Sequence, residues 1–114
     1  MQTVTIDPDI EPTARAFIAK VARQYDLVAA ILFGSRARHN HHPNSDVDIA
    51  VLLRGVRGRR VDEALKMADM AFDVMLETGI LVEALPLWED EWEHPEIFNN
   101  PALIENIRRE GVRL

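Results

Sequence analysis

The chain has 114 residues, 47 % hydrophobic and 28 % charged, a globular mixture expected to fold as one domain over 1–114. It has no cysteine, which excludes disulfides and thiolate zinc sites, and its formal charge of -6 argues against a nonspecific polyanion binder. No apolar run is long enough to span a membrane and MQTVTIDPDIEP lacks the marks of a secretion signal, so a cytoplasmic soluble domain is expected.

The first residues read as a leader with a short extended piece at Val4 to Ile6. A helix follows from around 9–13 to about Gln24, with Pro12 tolerable in its first turn. Ala14, Phe17, Ile18, Val21 and Tyr25 recur at helical spacing and mark its buried stripe. LVAAILF, residues 27–33, is an unbroken apolar run stopped by Gly-Ser, the pattern of a buried strand. Residues 34–45 form a polar connection with room for a helical turn at 36–40, and a second apolar strand covers 47–53. The basic loop 54–60 comes next. Val61, Leu65, Ala68, Phe72 and Met75 then step by four and three, which predicts an amphipathic helix over 61–77 ended by Gly79. A third strand is expected over 80–87, placed at an edge by Pro86. The stretch 77–96 carries seven acids and no Lys or Arg. Asn100-Pro101 opens a last helix with Leu103, Ile104 and Ile107 on its apolar face and Gly111 as its stop. The order helix, strand, strand, helix, strand, helix predicts a small α/β sheet covered by helices.

Asp46 and Asp48, one residue apart at a strand entrance, point to the same side. Their carboxylates repel unless a cation neutralises them, and hard oxygen ligands of this kind suit Mg²⁺ completed by substrate phosphates. Gly34 and Ser35 lie just past the first strand. Glycine permits close backbone approach there, and the serine amide and hydroxyl can donate to a phosphate oxygen. A phosphate holder and a metal holder at neighbouring strand ends make a phosphoryl-transfer site.

Gly34-Ser35, ten intervening residues and Asp46-x-Asp48 resemble the signature of the minimal nucleotidyltransferases, a branch of the DNA polymerase beta superfamily. The longer run from FGSRAR to NSDVDIAVLL strengthens the resemblance, which covers about 27–53, with matching element order through Leu87. It implies a polymerase-beta-like fold with a small mixed sheet. It also implies transfer of a nucleoside monophosphate from a nucleoside triphosphate with two Mg²⁺ ions. Gly34 and Ser35 would hold the triphosphate, and Asp46 and Asp48 would be the paired metal ligands. The superfamily places a third acid on the following strand, as metal ligand and acceptor of the attacking hydroxyl's proton. Glu83 is the acid inside the third strand, with Asp73 and Glu77 as alternatives under shifted boundaries.

Free-standing domains of this kind resemble the antitoxin halves of two-gene systems whose partners are helical HEPN ribonucleases. That resemblance implies AMP transfer from ATP to a tyrosine of such a toxin. A catalytically inactive module acting by occlusion, and a transferase with a small-molecule acceptor, are the competing readings. Homo- and hetero-oligomers are both compatible with the sequence.

Arg36 and Arg38 are further candidates for phosphate contact through their guanidinium forks. His39, His41 and His42 read as solvated loop residues, with a phosphate or acceptor contact by His39 or His42 as the alternative and a zinc site behind it. Arg54, Arg57, Arg59 and Arg60 suggest a solvated loop or a protein contact ahead of nucleic acid, because aromatics are not interleaved with them. Trp88 and Trp92, with Phe98 nearby, fit either folding back over the sheet or a partner surface.

Overall fold

Leu27–Phe33 (β1) is an unbroken apolar run, and Val47–Leu53 (β2) is apolar apart from Asp48, because both faces of each strand are covered. The computed structural model describes residues 6–38 and 46–114. Most of the expected N-terminal extended piece therefore lies outside the described residues, as do His39, His41 and His42. Val82–Trp88 (β3) and Val112–Arg113 (β4) complete a four-stranded mixed sheet in the order β3-β2-β1-β4. β1 runs antiparallel to β2 and β4, whereas β3 is parallel to β2. β3 is an edge strand, as Pro86 favours, since proline has no N–H to donate to a ladder.

Two layers of helix close the sheet. Glu11–Gln24 (α1) and Arg60–Thr78 (α3) cover one face, where Phe17, Val21, Met67, Met70 and Val74 pack on Val47, Ile49 and Val51. Ser35–Arg38 (α2) is the single turn that leaves β1. Glu89–Glu93 (α4), a 3-10 turn at Pro95–Ile97 and Pro101–Glu110 (α5) lie in the segment that covers the other face. There Phe98, Ile104 and Ile107 pack on Ile31, Ala50 and Leu87. The parallel β2–β3 pair needs a crossover, and α3 supplies it. Gly79 ends α3 in the left-handed conformation at φ 80°, its N–H donating to the Met75 carbonyl at 2.7 Å.

α3 buries a different face from the one its sequence steps suggested. Met67, Met70, Ala71 and Val74 face the sheet, while Val61, Leu65, Ala68 and Phe72 stand in solvent. The helix carries two apolar stripes at helical period, and period alone does not choose between them. Flexible methionines fill the space above the strands, so that stripe becomes the core.

The acidic stretch is tied into the fold by one buried residue. Glu91 is fully buried, accepts the Trp88 N–H at 3.2 Å and the Arg60 Nη1–H at 3.0 Å, and makes a second contact with Arg60 Nη2. The Arg60 guanidinium lies 5.4 Å from the Trp88 ring centroid and 4.8 Å from that of Phe98. Trp88 is buried and Trp92 packs partly buried under Arg108, so both tryptophans fold back over the sheet. The other arginines of the basic loop also have partners within the chain. Arg54 pairs with Asp26 at 3.1 Å, Arg57 donates to the Ile97 carbonyl at 2.9 Å, and Arg59 pairs with Asp62 at 3.0 Å. Among the described residues no helix is long and apolar enough to cross a membrane.

Candidate active site

The C-terminal end of β1 and the N-terminal ends of β2 and β3 meet at one edge of the sheet. Register fixes what meets there: Phe33 lies opposite Asp48, and Asp48 lies beside Glu83. Alternation along β2 puts Val47 and Ile49 into the α1–α3 core and turns Asp48 to the other face. That face is roofed by α5 farther along the sheet, where Ala50 and Leu52 are buried beneath it.

Gly34 makes the approach to Asp48 possible. Its φ is 73°, in the left-handed region, and a Cβ built on it would collide with Asp48 Oδ2. Its carbonyl accepts the N–H groups of Ala37 and Arg38 at 3.1 and 3.2 Å, which starts α2 immediately. Ser35 opens that turn, where backbone N–H groups have no acceptor within the helix.

Three carboxyl groups gather at this edge. Glu83 stands beside Asp48 in register and close enough to Asp46 and Asp48 to feel the charge of both. Glu83 is exposed, yet desolvation by the neighbouring chain, then the charges of Asp46 and Asp48, raise its proton affinity above that of an ordinary glutamate. Asp48 is also raised, chiefly by burial and secondarily by Asp46, against the opposing pull of Glu83 hydrogen bonding and the Arg38 charge. Oxygen donors with excess negative charge suit a hard divalent cation. The donor set fits such an ion, although among the described residues no three acidic or histidine side chains converge on a preformed metal cage.

The two arginines behind Ser35 separate. Arg36 is 4 % exposed and its interactions are within the protein, whereas Arg38 is half exposed and lies near Asp48. Arg38 also pairs with Glu110 at 3.5 Å. A cavity of ≈ 190 Å³ opens beside Gly34 between Phe33, Leu103 and Ile107, with Arg38, Asn106 and Glu110 at its polar side. A larger cavity of ≈ 610 Å³ lies around Tyr25, Arg54 and Trp88, at the opposite end of the strands, and contains none of the three carboxylates. The smaller cavity shares Gly34 and Arg38 with the site but has none of the three carboxylates in its wall, whereas a third, of ≈ 400 Å³ between α3 and β3, has Glu83 in its lining.

Asp46, Asp48 and Glu83 are thus brought together with Gly34 and Ser35, while Asp73 and Glu77 remain on the exposed side of α3. Sequence inspection missed the α5 wall with Asn106 and Glu110. No local signal marks it, because the two-residue pairing of β4 with β1 brings that turn to the site.

Known proteins resemble this chain in sequence and fold. The family model described as "Polymerase beta, Nucleotidyltransferase" matches residues 17–86. A Methanocaldococcus jannaschii protein named "Putative protein adenylyltransferase MJ1305" is 31 % identical over 71 residues, 60 % of this chain and 48 % of its own length. The chain thus spans about half of that relative. The crystal structure of a "putative nucleotidyltransferase" from Sulfolobus solfataricus has a TM-score of 0.51 and 24 % identity, covering 81 % of this chain and 84 % of that one. At that identity the likeness speaks for the fold. The family match runs from within α1 to Pro86 on β3, more than half of the chain, and the chain therefore belongs to the polymerase beta nucleotidyltransferase family.

Proposed function

We propose that this chain transfers AMP from ATP to a protein hydroxyl, with Mg²⁺ held by Asp46, Asp48 and Glu83. The observation that carries the reading is the meeting of Gly34, Asp48 and Glu83 at one sheet edge. The name of the M. jannaschii relative supports both the adenylyl group and a protein acceptor. The further step, to a tyrosine on a helical HEPN ribonuclease, rests on the resemblance of the Gly34–Asp48 motif to antitoxin halves.

Each residue has a definite task. Gly34 lets a triphosphate reach the backbone, and Ser35 donates its amide and hydroxyl to a phosphate oxygen. Arg38, the exposed arginine near Asp48, adds a guanidinium fork to the same phosphates. A divalent cation, when bound, neutralises charge on the phosphoryl group. Glu83 stands exposed beside Asp48 and accepts the acceptor hydroxyl's proton. The acceptor oxygen bonds to the α-phosphorus, the bond to the β-phosphate bridge breaks, and pyrophosphate leaves with the electron pair.

The absence of a preformed three-ligand cage among the described residues favours one other reading, a module that blocks its partner without catalysis. Intact-mass spectrometry separates the two. Incubation with a helical ribonuclease partner, ATP and Mg²⁺ should add AMP to the partner's tyrosine. A stable complex that silences the ribonuclease without any gain in mass would support occlusion instead.

A further inference from the structure

Six large hydrophobic residues are exposed among the described residues, and four of them, Val61, Leu65, Phe72 and Leu76, lie on α3. With Ala68 they recur at steps of four, three, four and four, which aligns them as one stripe along the helix. Their exposures are 71, 63, 52 and 69 %, so the stripe is open along its whole length. A continuous apolar stripe is unusual on a free surface and marks an interaction site.

The charges beside the stripe identify the occupant. Each stripe residue is followed by a charged one, giving the row Asp62, Lys66, Asp69, Asp73, Glu77 along one flank. Its one basic member, Lys66, lies in the first half, with Arg59 just before the helix, and the last turn has no basic residue. Acids near a helix C-terminus oppose the helix dipole and gain from an external cation. A copy of the same helix running the other way presents one. In an antiparallel pair related by a two-fold axis near Ala68, Leu65 meets Phe72 and Val61 meets Leu76. On the flank, Lys66 faces Asp69 and Asp73, and Arg59 faces Glu77; Asp62 falls beside Asp73 and Glu77, and Asp69 beside its own copy, so Arg59 and Lys66 supply the attraction. Arg59 and Lys66 hold short-range pairs near the surface, to Asp62 at 3.0 Å and Glu63 at 3.5 Å, which are weak and free to exchange. A parallel pair would set every one of these charges against its own copy, Lys66 included, with no opposite charge at matched positions. The small side chain of Ala68 lets the two backbones approach at the axis.

We propose that α3 is the two-fold interface of a homodimer. Nineteen helical residues span about 28 Å, so the contact falls near the low end of specific interfaces and the dimer is concentration-dependent. The pairing sets the basic end of one α3 beside the end of the other that leads through Gly79 to Glu83. It stands independently of the activity proposed above.

Sedimentation velocity over a concentration series tests it. The wild type should move from 13.0 kDa toward twice that mass, and Phe72→Glu should remain monomeric with unchanged circular dichroism and melting. Lys66→Asp should weaken association about tenfold or more through like-charge contact, and adding Asp73→Lys in the same chain should restore it. Within one chain Lys66 pairs with Glu63, so that recovery reports a contact between copies. A wild type monomeric at every concentration, or a dimer indifferent to Phe72→Glu, overturns the proposal. A double exchange that fails to recover overturns the antiparallel pairing on which it stands.

Discussion

Asp48 on β2 and Glu83 on β3 are register neighbours in a parallel pair, although 35 positions separate them in the chain. The β2–α3–β3 crossover alone makes them adjacent. It brings two acids together at a sheet edge, where Asp46 adds a third.

The first prediction follows from that crowding. Both Asp48 and Glu83 hold protons more tightly in the folded state than in the unfolded chain, through desolvation first and neighbouring charge second. Groups raised in this way contribute stability that is complete below their unfolded-state pKa and is lost as pH rises through the folded one. Metal-free protein should therefore gain stability on acidification through the carboxylate range, and Glu83→Gln should flatten that gain. Thermal melts against pH of both forms give the comparison; superimposable pH slopes would show that the cluster imposes no such penalty. Mg²⁺ at neutral pH should raise the wild-type melting temperature more than that of Glu83→Gln.

Gly34 supplies the second. Alanine there meets both a left-handed φ and the Asp48 carboxylate, so Gly34→Ala should cost at least about 1 kcal/mol in denaturant unfolding. It should also weaken nucleotide binding, because Asp48 must swing away to admit the methyl group. Unchanged stability and affinity together would mean that the turn relaxes freely.

A third prediction concerns the link between the basic loop and the acidic stretch. Glu91→Ala leaves Arg60 beside two aromatic rings without its buried carboxylate. Arg60 is part exposed and can turn its charge toward water, so the loss should be that of charge-assisted hydrogen bonds, about 1.5–3 kcal/mol, which denaturant melts would register directly. Replacing both partners by apolar residues of similar size should cost less than either single change.

Glu83 gives the fourth, in the presence of nucleotide and acceptor. Glu83→Gln should keep nucleotide binding within a small factor and slow transfer about a hundredfold or more, since the amide cannot accept the hydroxyl proton. Single-turnover rates at saturating nucleotide separate these effects. Wild-type rates in the variant would place the base elsewhere.

Much of this was legible in the sequence. β1 and β2 show plainly as apolar runs, since strands buried on both faces need no alternation. Gly34, Ser35, Asp46 and Asp48 lie at the ends of those runs, so these four residues of the site follow from local pattern and motif. Glu83 needed more, because its meeting with Asp48 depends on how α3 returns the chain. The packing face of α3 was hidden by its having two apolar stripes, of which the methionine one is buried. β4 was invisible because two residues carry no period, and with it the α5 wall of the small cavity. The buried Glu91 lay unmarked in a run of acids that reads as solvated until Arg60 is seen against it.

The central claim is that the sheet edge around Gly34, Asp46 and Asp48 binds a metal–nucleotide complex. Calorimetric titration of MgATP into the wild type and into Asp46→Ala/Asp48→Ala tests it most directly. The double variant should stay folded, because removing like charges relieves repulsion in the metal-free protein. Its affinity should fall by more than the ten- to hundredfold, in round terms about 10–100, that loss of an outer-shell partner costs a metal site. Equal affinity of the two folded proteins for MgATP would contradict the account.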